Sequence, residues 1–225
     1  MRLIALVIVF AATLIASGCA KAPTGGPGSI RRLVIEMQVA GVINPNYFYY
    51  VAIDNDGDPS DGPAAVIASP WGNGWGTGSI THYVQFDNSL PQGGYGLFRI
   101  PDASLLGKIY LGPPVNFITP GPSGDTLRFT VDLDALVIAP QTTGNDIQSL
   151  EINFIATDVV PTDPAFVGPR QWDALGDNST PNRFFSFNIT PGAVISNDTE
   201  GIEAPNDVPN PDLDIINWSI EVQQL

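Results

Sequence analysis

The sequence of 225 residues has only one cysteine, Cys19, and only one histidine, His82. A single cysteine cannot form a disulfide bond within the chain. A single histidine excludes the metal sites that need two, such as the zinc site of H-E-x-x-H proteases. The fold therefore depends on an apolar core rather than on a disulfide framework.

Basic residues are also scarce, because 9 lysines and arginines face 23 aspartates and glutamates, and the formal net charge is −14. A chain this acidic repels phosphate backbones and anionic lipid headgroups. The composition therefore disfavours both nucleic acid as a partner and docking on a membrane through a basic patch, and we predict no nucleic-acid binding.

Strong helix formers are few as well, since the chain has only two lysines and five glutamates. Isoleucine and valine together number 39, against 16 leucines. β-branched residues favour strands, and this balance predicts an all-β protein. The length fits one domain.

The N-terminus carries an export signal. Met1 and Arg2 supply a positive start, residues 3–15 are apolar apart from Thr13, and small residues follow. This pattern is typical of a secretory signal peptide over residues 1–18 and is too short for a comfortable transmembrane helix.

The segment Ala16-Ser17-Gly18-Cys19 resembles the lipobox of bacterial lipoproteins. The resemblance implies cleavage before Cys19 and acylation of that residue, which would anchor the protein in a lipid bilayer. Ala20 after the cysteine implies export to the outer membrane or cell surface. Residues 19–29 have no apolar periodicity and read as a flexible tether. The alternative is an ordinary signal peptide in which Cys19 is incidental.

From residue 30 onward, apolar and polar residues alternate with a period of two, which indicates half-buried strands. Pro, Gly, Asn and Asp clusters separate the strands. We predict one antiparallel β-sandwich domain over residues 30–225, jelly-roll-like, with about nine strands. The predicted strands are 30–39, 47–53, 81–87, 95–100, 108–111, 126–133, 150–158, 183–189 and 214–222.

An acidic segment follows the strand at 47–53 and could hold calcium. Carboxylate oxygens are the ligands that calcium prefers, and the glycines in this segment permit tight bends. Pro59 stands where an EF-hand loop has its glycine, so the segment is not an EF-hand. The alternative is a solvated loop without an ion. The predicted metal ligands are Asp54, Asp56, Asp58 and Asp61.

Residues 69–79 form a glycine-rich segment that carries two of the four tryptophans, Trp71 and Trp75. Flat aromatic rings on a loop suit stacking on the apolar faces of sugar rings, with Asn73 bonding hydroxyls and Tyr83 extending the site. The alternative is that both tryptophans fold back and plug one end of the sandwich.

No pattern of catalytic residues emerges from the sequence. His82 shares a face with Val84 and Phe86, which predicts a place at the edge of the core. No G-x-S-x-G motif accompanies it. Aspartates are abundant, but no pair has the pattern expected of a glycosidase. We therefore predict a protein that is not an enzyme.

The segment Tyr49-Tyr50-Val51-Ala52-Ile53-Asp54-Asn55-Asp56, together with residues 150–156, resembles β-sandwiches of the family 9 carbohydrate-binding and DOMON type. In these domains an aromatic strand runs into an acidic loop. The resemblance implies a jelly-roll sandwich that binds sugars or, in some members, haem. Met37 and His82 are the only residues of the mature chain that could ligate haem iron.

Together these features predict an exported, membrane-anchored, non-catalytic lipoprotein in which a calcium-stabilised sandwich binds an extracellular polysaccharide. The main alternative is a structural or assembly protein that contacts other proteins of the cell envelope. A glycoside hydrolase and a haem-binding domain are further alternatives.

Overall fold

The computed structural model describes residues 29–177 and 184–225, and its strands form an antiparallel β-sandwich. This confirms the predicted all-β fold class. The described parts contain fourteen strands, two short 3-10 turns at Leu133–Leu136 and Gly144–Asp146, and one short helix, α1, at Asn197–Glu200.

One layer is a sheet of five strands. Strand β1 (Arg31–Val39) lies in its middle and pairs with β9 (Thr126–Asp132) on one side and β14 (Ile215–Gln224) on the other. In spatial order the strands are β13 (Val194–Ser196), β14 (Ile215–Gln224), β1 (Arg31–Val39), β9 (Thr126–Asp132) and β8 (Asn116–Ile118).

The second layer is a sheet of seven strands. Its spatial order is β11 (Trp172–Ala174), β10 (Ser149–Thr157), β2 (Phe48–Asp54), β5 (His82–Phe86), β6 (Tyr95–Arg99) and β7 (Ile109–Gly112), with β12 (Phe185–Asn188) also pairing with β10. A separate two-stranded hairpin consists of β3 (Pro63–Ala65) and β4 (Gly76–Gly78).

All nine predicted strands are present within a few residues of their expected ends. The sequence did not reveal five others, β3, β4, β8, β11 and β13, each of which has three residues. A segment of three residues is too short for its apolar alternation to distinguish a strand from a loop. This explains why the sequence predicted nine strands and the structure has fourteen in its described parts.

The main core lies between the two sheets and is built from alternate residues of the long strands. On β1, Leu33, Ile35 and Met37 are fully buried. Trp218 of β14 lies in the same core and stacks on Phe154 of β10. This burial of every second residue is the periodicity that made the strands visible in the sequence.

A second apolar cluster covers the outer face of the seven-stranded sheet. Tyr50, Tyr83 and Phe98 point outward from β2, β5 and β6, and Trp75 from the β3–β4 hairpin packs on them. Strand β2 is consequently buried on both faces, which explains why residues 47–53 are apolar without alternation.

The predicted signal peptide (residues 1–18), the lipidation residue Cys19 and tether residues 19–28 lie outside the described residues. Within residues 29–177 and 184–225, no helix has the length and hydropathy needed to cross a bilayer.

Candidate functional site

Three of the four predicted metal ligands come together after β2. Asp54 ends that strand, and Asp56 and Asp61 lie in the exposed loop that follows. One carboxylate oxygen from each lies within 4.8 Å of the others. This spacing matches oxygens that share one calcium ion at ~2.4 Å.

Asp58, the fourth predicted ligand, lies apart from this group. It is fully exposed, and one of its carboxylate oxygens accepts hydrogen bonds from the backbone NH and the hydroxyl of Ser60, at 3.0 and 2.6 Å. Asp58 therefore shapes the turn instead of joining the other carboxylates.

Glu151 of β10 lies beside this group, and the sequence did not reveal it. Glu151 pairs directly with Asp54 across the β10–β2 ladder, and both side chains are completely buried. Oδ2 of Asp54 and Oε2 of Glu151 have no hydrogen-bond partner, whereas Oε1 of Glu151 accepts one from Ser186 at 2.8 Å. Only the register between two strands distant in sequence reveals this pairing. We call Asp54, Asp56, Asp61 and Glu151 the acid-loop site.

The electrostatics of the acid-loop site favour a bound cation. Burial, together with the charges of Asp56 and Asp61, raises the pKa of Asp54 to about 6. Burial also raises the pKa of Glu151, and the nearby Asp54 carboxylate adds to the effect. Among the described residues, the two ion pairs involve Asp132 and Glu36, so neither compensates this site. The arrangement could hold a hard cation through oxygen ligands.

The neighbouring Asn55 has a different role. Its side chain donates to the carbonyl of Leu136 at 2.7 Å and exchanges hydrogen bonds with the amide of Gln141, at 2.8 and 2.9 Å. These bonds engage both ends of the amide, so Asn55 anchors the start of the loop.

Trp75 packs against the sheet. Its ring is 5% exposed and stacks on Tyr50, with centroids 4.1 Å apart and planes 5° from parallel. The chain reaches this position through Gly74, whose φ is +90° and whose missing Cβ would lie 2.5 Å from the carbonyl oxygen of Pro161. Trp75 therefore covers the outer face of the sheet, not an end of the sandwich.

Trp71 lies apart from Trp75. Its indole NH donates to the carbonyl of Phe166 at 3.0 Å, and its ring meets the Phe166 ring edge-on at 5.8 Å. The guanidinium of Arg170 lies 5.6 Å from the indole centroid. Trp71 is half-buried by these contacts and holds residues 163–170 against the hairpin loop.

The other three predicted ligand residues, Asn73, Trp75 and Tyr83, line one groove on the outer face of the seven-stranded sheet, with a volume of about 410 Å³. Gln85, Asp87 and Lys108 line it too. Gln85 on β5 and Asp87 directly after it follow Tyr83 at intervals of two, so the alternation predicted for residues 81–87 could have identified both.

Polar groups in the groove are held in place. The Gln85 amide donates to the Asp87 carboxylate, which also accepts a hydrogen bond from the backbone NH of Ser89 at 2.6 Å. Nδ2 of Asn73 has no hydrogen-bond partner, while its Oδ1 accepts from the backbone of Trp75 and Gly76. Nζ of Lys108 lies 5.2 Å from the centroid of the Phe98 ring.

His82 is fully buried, as predicted for the edge of the core. Its Nδ1 contacts the Thr81 hydroxyl at 3.2 Å, and Nε2 has no partner. Burial and the positive charge of Arg99 lower its pKa to about 4, so the ring is neutral at pH 7. Within the described residues, His82 forms no Ser-His-Asp arrangement.

The resemblance to family 9 carbohydrate-binding and DOMON domains stays a prediction, because no protein-family model matches the chain and neither curated proteins nor solved structures give a match.

Proposed function

We propose that this protein is an exported, lipid-anchored, non-catalytic lipoprotein whose β-sandwich binds a segment of extracellular polysaccharide in the groove beside Trp75. The observation that carries the proposal is the meeting of Asn73, Trp75 and Tyr83 in one open groove with polar side chains. Its volume of about 410 Å³ is within the range of small-ligand sites, roughly 300–1,000 Å³.

The lining has the two kinds of surface that a sugar needs. Asp87, Gln85 and Lys108 offer charged and amide groups for hydroxyls, and Leu105 and the edges of Trp75 and Tyr83 offer apolar contact for C–H groups. The face of Trp75 is occupied by Tyr50, so the ligand would meet ring edges instead of stacking on a free indole.

Calcium at the acid-loop site would support this groove indirectly. The loop that carries Asp56 and Asp61 leads into β3, and the β3–β4 hairpin holds Trp75 against the sheet. A cation there relieves the repulsion among four carboxylates and orders the entry to the hairpin.

The test is a glycan array with the full chain in detergent, followed by calorimetry on any glycan retained. Lys108 is exposed and only its ammonium group lies over the Phe98 ring, so Lys108→Ala should keep the fold and weaken glycan affinity at least tenfold. Arg128→Ala removes the same charge from the opposite sheet and serves as the control. Retention of no glycan, or equal affinity in Lys108→Ala and Arg128→Ala, would contradict the proposal.

A second candidate function, contact with other envelope proteins, is favoured by an apolar sheet edge. Strand β7 is the last strand on its side of the sheet, and Ile109, Tyr110 and Leu111 are about 40% exposed or more. Nearby Leu106 is 70% exposed. Unpaired apolar edge strands are suited to accepting a strand from a partner.

Substitutions at the β7 edge distinguish the two candidate functions. A photo-crosslinking residue at position 110 should form a discrete adduct in cells if the edge binds an envelope protein, and Ile109→Lys should abolish that adduct. Ile109→Lys should leave glycan affinity unchanged. The absence of any adduct would count against the second candidate.

A further inference from the structure

A second group of carboxylates lies at the junction of the two sheets. Asp173 is the middle residue of β11, Asp214 immediately precedes β14, and Asp207 lies in the segment between α1 and β14. One carboxylate oxygen from each lies within 4.8 Å of the others. Asp173 and Asp214 are buried, and Asp207 is half-buried.

Glu203 lies beside the same group and supplies an independent sign of a ligand. Its side chain is 95% buried, since only 5% is exposed, and Oε2 accepts a hydrogen bond from the backbone NH of Gly176 at 3.1 Å. The other oxygen, Oε1, is buried without a hydrogen-bond partner. The carboxylates of Asp173, Asp207 and Asp214 act electrostatically on Glu203. A buried carboxylate oxygen without a partner costs free energy unless something binds it.

We propose that Asp173, Glu203, Asp207 and Asp214 form a second calcium site that fastens the two sheets together. All four donors are carboxylate oxygens, which selects a hard cation. Magnesium keeps several waters, whereas a buried set of four carboxylates suits the larger and more easily dehydrated calcium.

The backbone holds these carboxylates in position before any ion binds. The two oxygens of Asp173 accept hydrogen bonds from the backbone NH groups of Ala174, at 2.8 Å, and Ile215, at 2.6 Å. Both oxygens of Asp214 accept from the backbone NH of Asn206, at 3.0 and 3.1 Å. Each carboxylate has about four acceptor positions, so these bonds leave room for a cation.

The site joins three separate parts of the chain. Asp173 belongs to the seven-stranded sheet, Asp214 leads into the five-stranded sheet, and Glu203 and Asp207 belong to the long connection after α1. An ion bound by all of them closes one end of the sandwich.

The proposal is tested by measuring how many calcium ions each protein binds. The measurement is equilibrium dialysis on the full chain after EDTA has removed bound metal. Wild type should bind two calcium ions, and the double variant Glu203→Gln/Asp207→Asn should bind one fewer. The control Glu200→Gln/Asp198→Asn makes the same charge change at exposed residues of α1 and should bind as wild type does. Equal calcium binding by the two double variants would overturn the proposal.

A further variant keeps the test independent of the acid-loop site. Asp61→Asn should remove calcium from the acid-loop site only, so it should still bind one calcium ion that raises its melting temperature. Loss of all calcium binding in Asp61→Asn would overturn the second site. Near-UV circular dichroism in EDTA checks that each variant is folded, which we expect because Asn and Gln have nearly the same size and shape as the acids they replace.

Discussion

Asp54 and Glu151 lie directly opposite each other on β2 and β10, and neither side chain is exposed to solvent. Like charges that face each other across two strands destabilise a sheet. The pair is therefore tolerated either when protons neutralise it or when a cation lies between the carboxylates.

Asp61→Asn should reduce the stabilisation of the protein by calcium, because it removes one oxygen ligand of the acid-loop site. Occupying one site at 100 times its dissociation constant stabilises a fold by about 2.7 kcal/mol. For a domain of this size that corresponds to a rise in melting temperature of roughly 5–10 °C. Thermal unfolding with and without calcium measures the difference.

Asp58→Asn is the matched control for that prediction. The change in charge is the same and the residue lies in the same loop, but Asp58 belongs to the turn and not to the acid-loop site. Its calcium-induced shift should equal that of wild type. A smaller shift for Asp58→Asn than for Asp61→Asn would show that the ligands are assigned wrongly.

The metal-free protein should lose stability as pH rises from 7 to 9. Burial and neighbouring carboxylates raise the pKa of Asp173 to about 8 and that of Glu203 to about 10. The folded state then binds more protons than the unfolded state, so the free energy of unfolding falls across this interval, by roughly 2–4 kcal/mol. His82 titrates below this range.

Urea unfolding in EDTA at pH 7 and pH 9 measures this loss. Glu203→Gln should show a smaller loss than wild type because it carries no proton to release. Saturating calcium should also shrink the loss, since the cation compensates the charged carboxylates. A metal-free protein that gains stability between pH 7 and 9 would refute the prediction.

Trp75→Ala should destabilise the domain by about 3–5 kcal/mol, the usual cost of removing a buried aromatic side chain. The ring covers Tyr50 and contacts Tyr83, so its loss would open the second apolar cluster. Chemical denaturation gives the value. Trp71→Ala should cost less, because Trp71 is half-buried at the margin of the hairpin loop. Equal costs for the two variants would contradict this account.

Cys19 should carry acyl chains in the protein extracted from membranes. Several chains on one residue give stable anchoring, whereas one chain binds only marginally. Intact-mass spectrometry should therefore find a mass above that of the cleaved polypeptide, and Cys19→Ser should move the protein to the soluble fraction. An unmodified Cys19 in membrane-extracted protein would contradict the anchor.

The long strands could be predicted because burial of every second residue leaves a pattern within a single segment, as in Leu33, Ile35 and Met37. The role of Glu151 could not, because it depends on the register between β10 and β2. The group around Asp173 combines segments that are up to 41 residues apart (173 to 214), and nothing local marks it. Sequence reasoning found Asp54, Asp56 and Asp61 because they are neighbours in the chain.

The order of the strands gives the domain two different ends. Ile30 and Leu225 meet at one end through a hydrogen bond of 3.0 Å, whereas β1 runs away from them to Val39, near Asp214. Nine strand residues span about 30 Å. A surface that holds the domain through residues preceding Ile30 would face the acid-loop end, while the end that contains the buried Asp87 and Asp214 would face away from that surface. A probe fused after Leu225 would accordingly sit on the inward side and leave the outward end unobstructed.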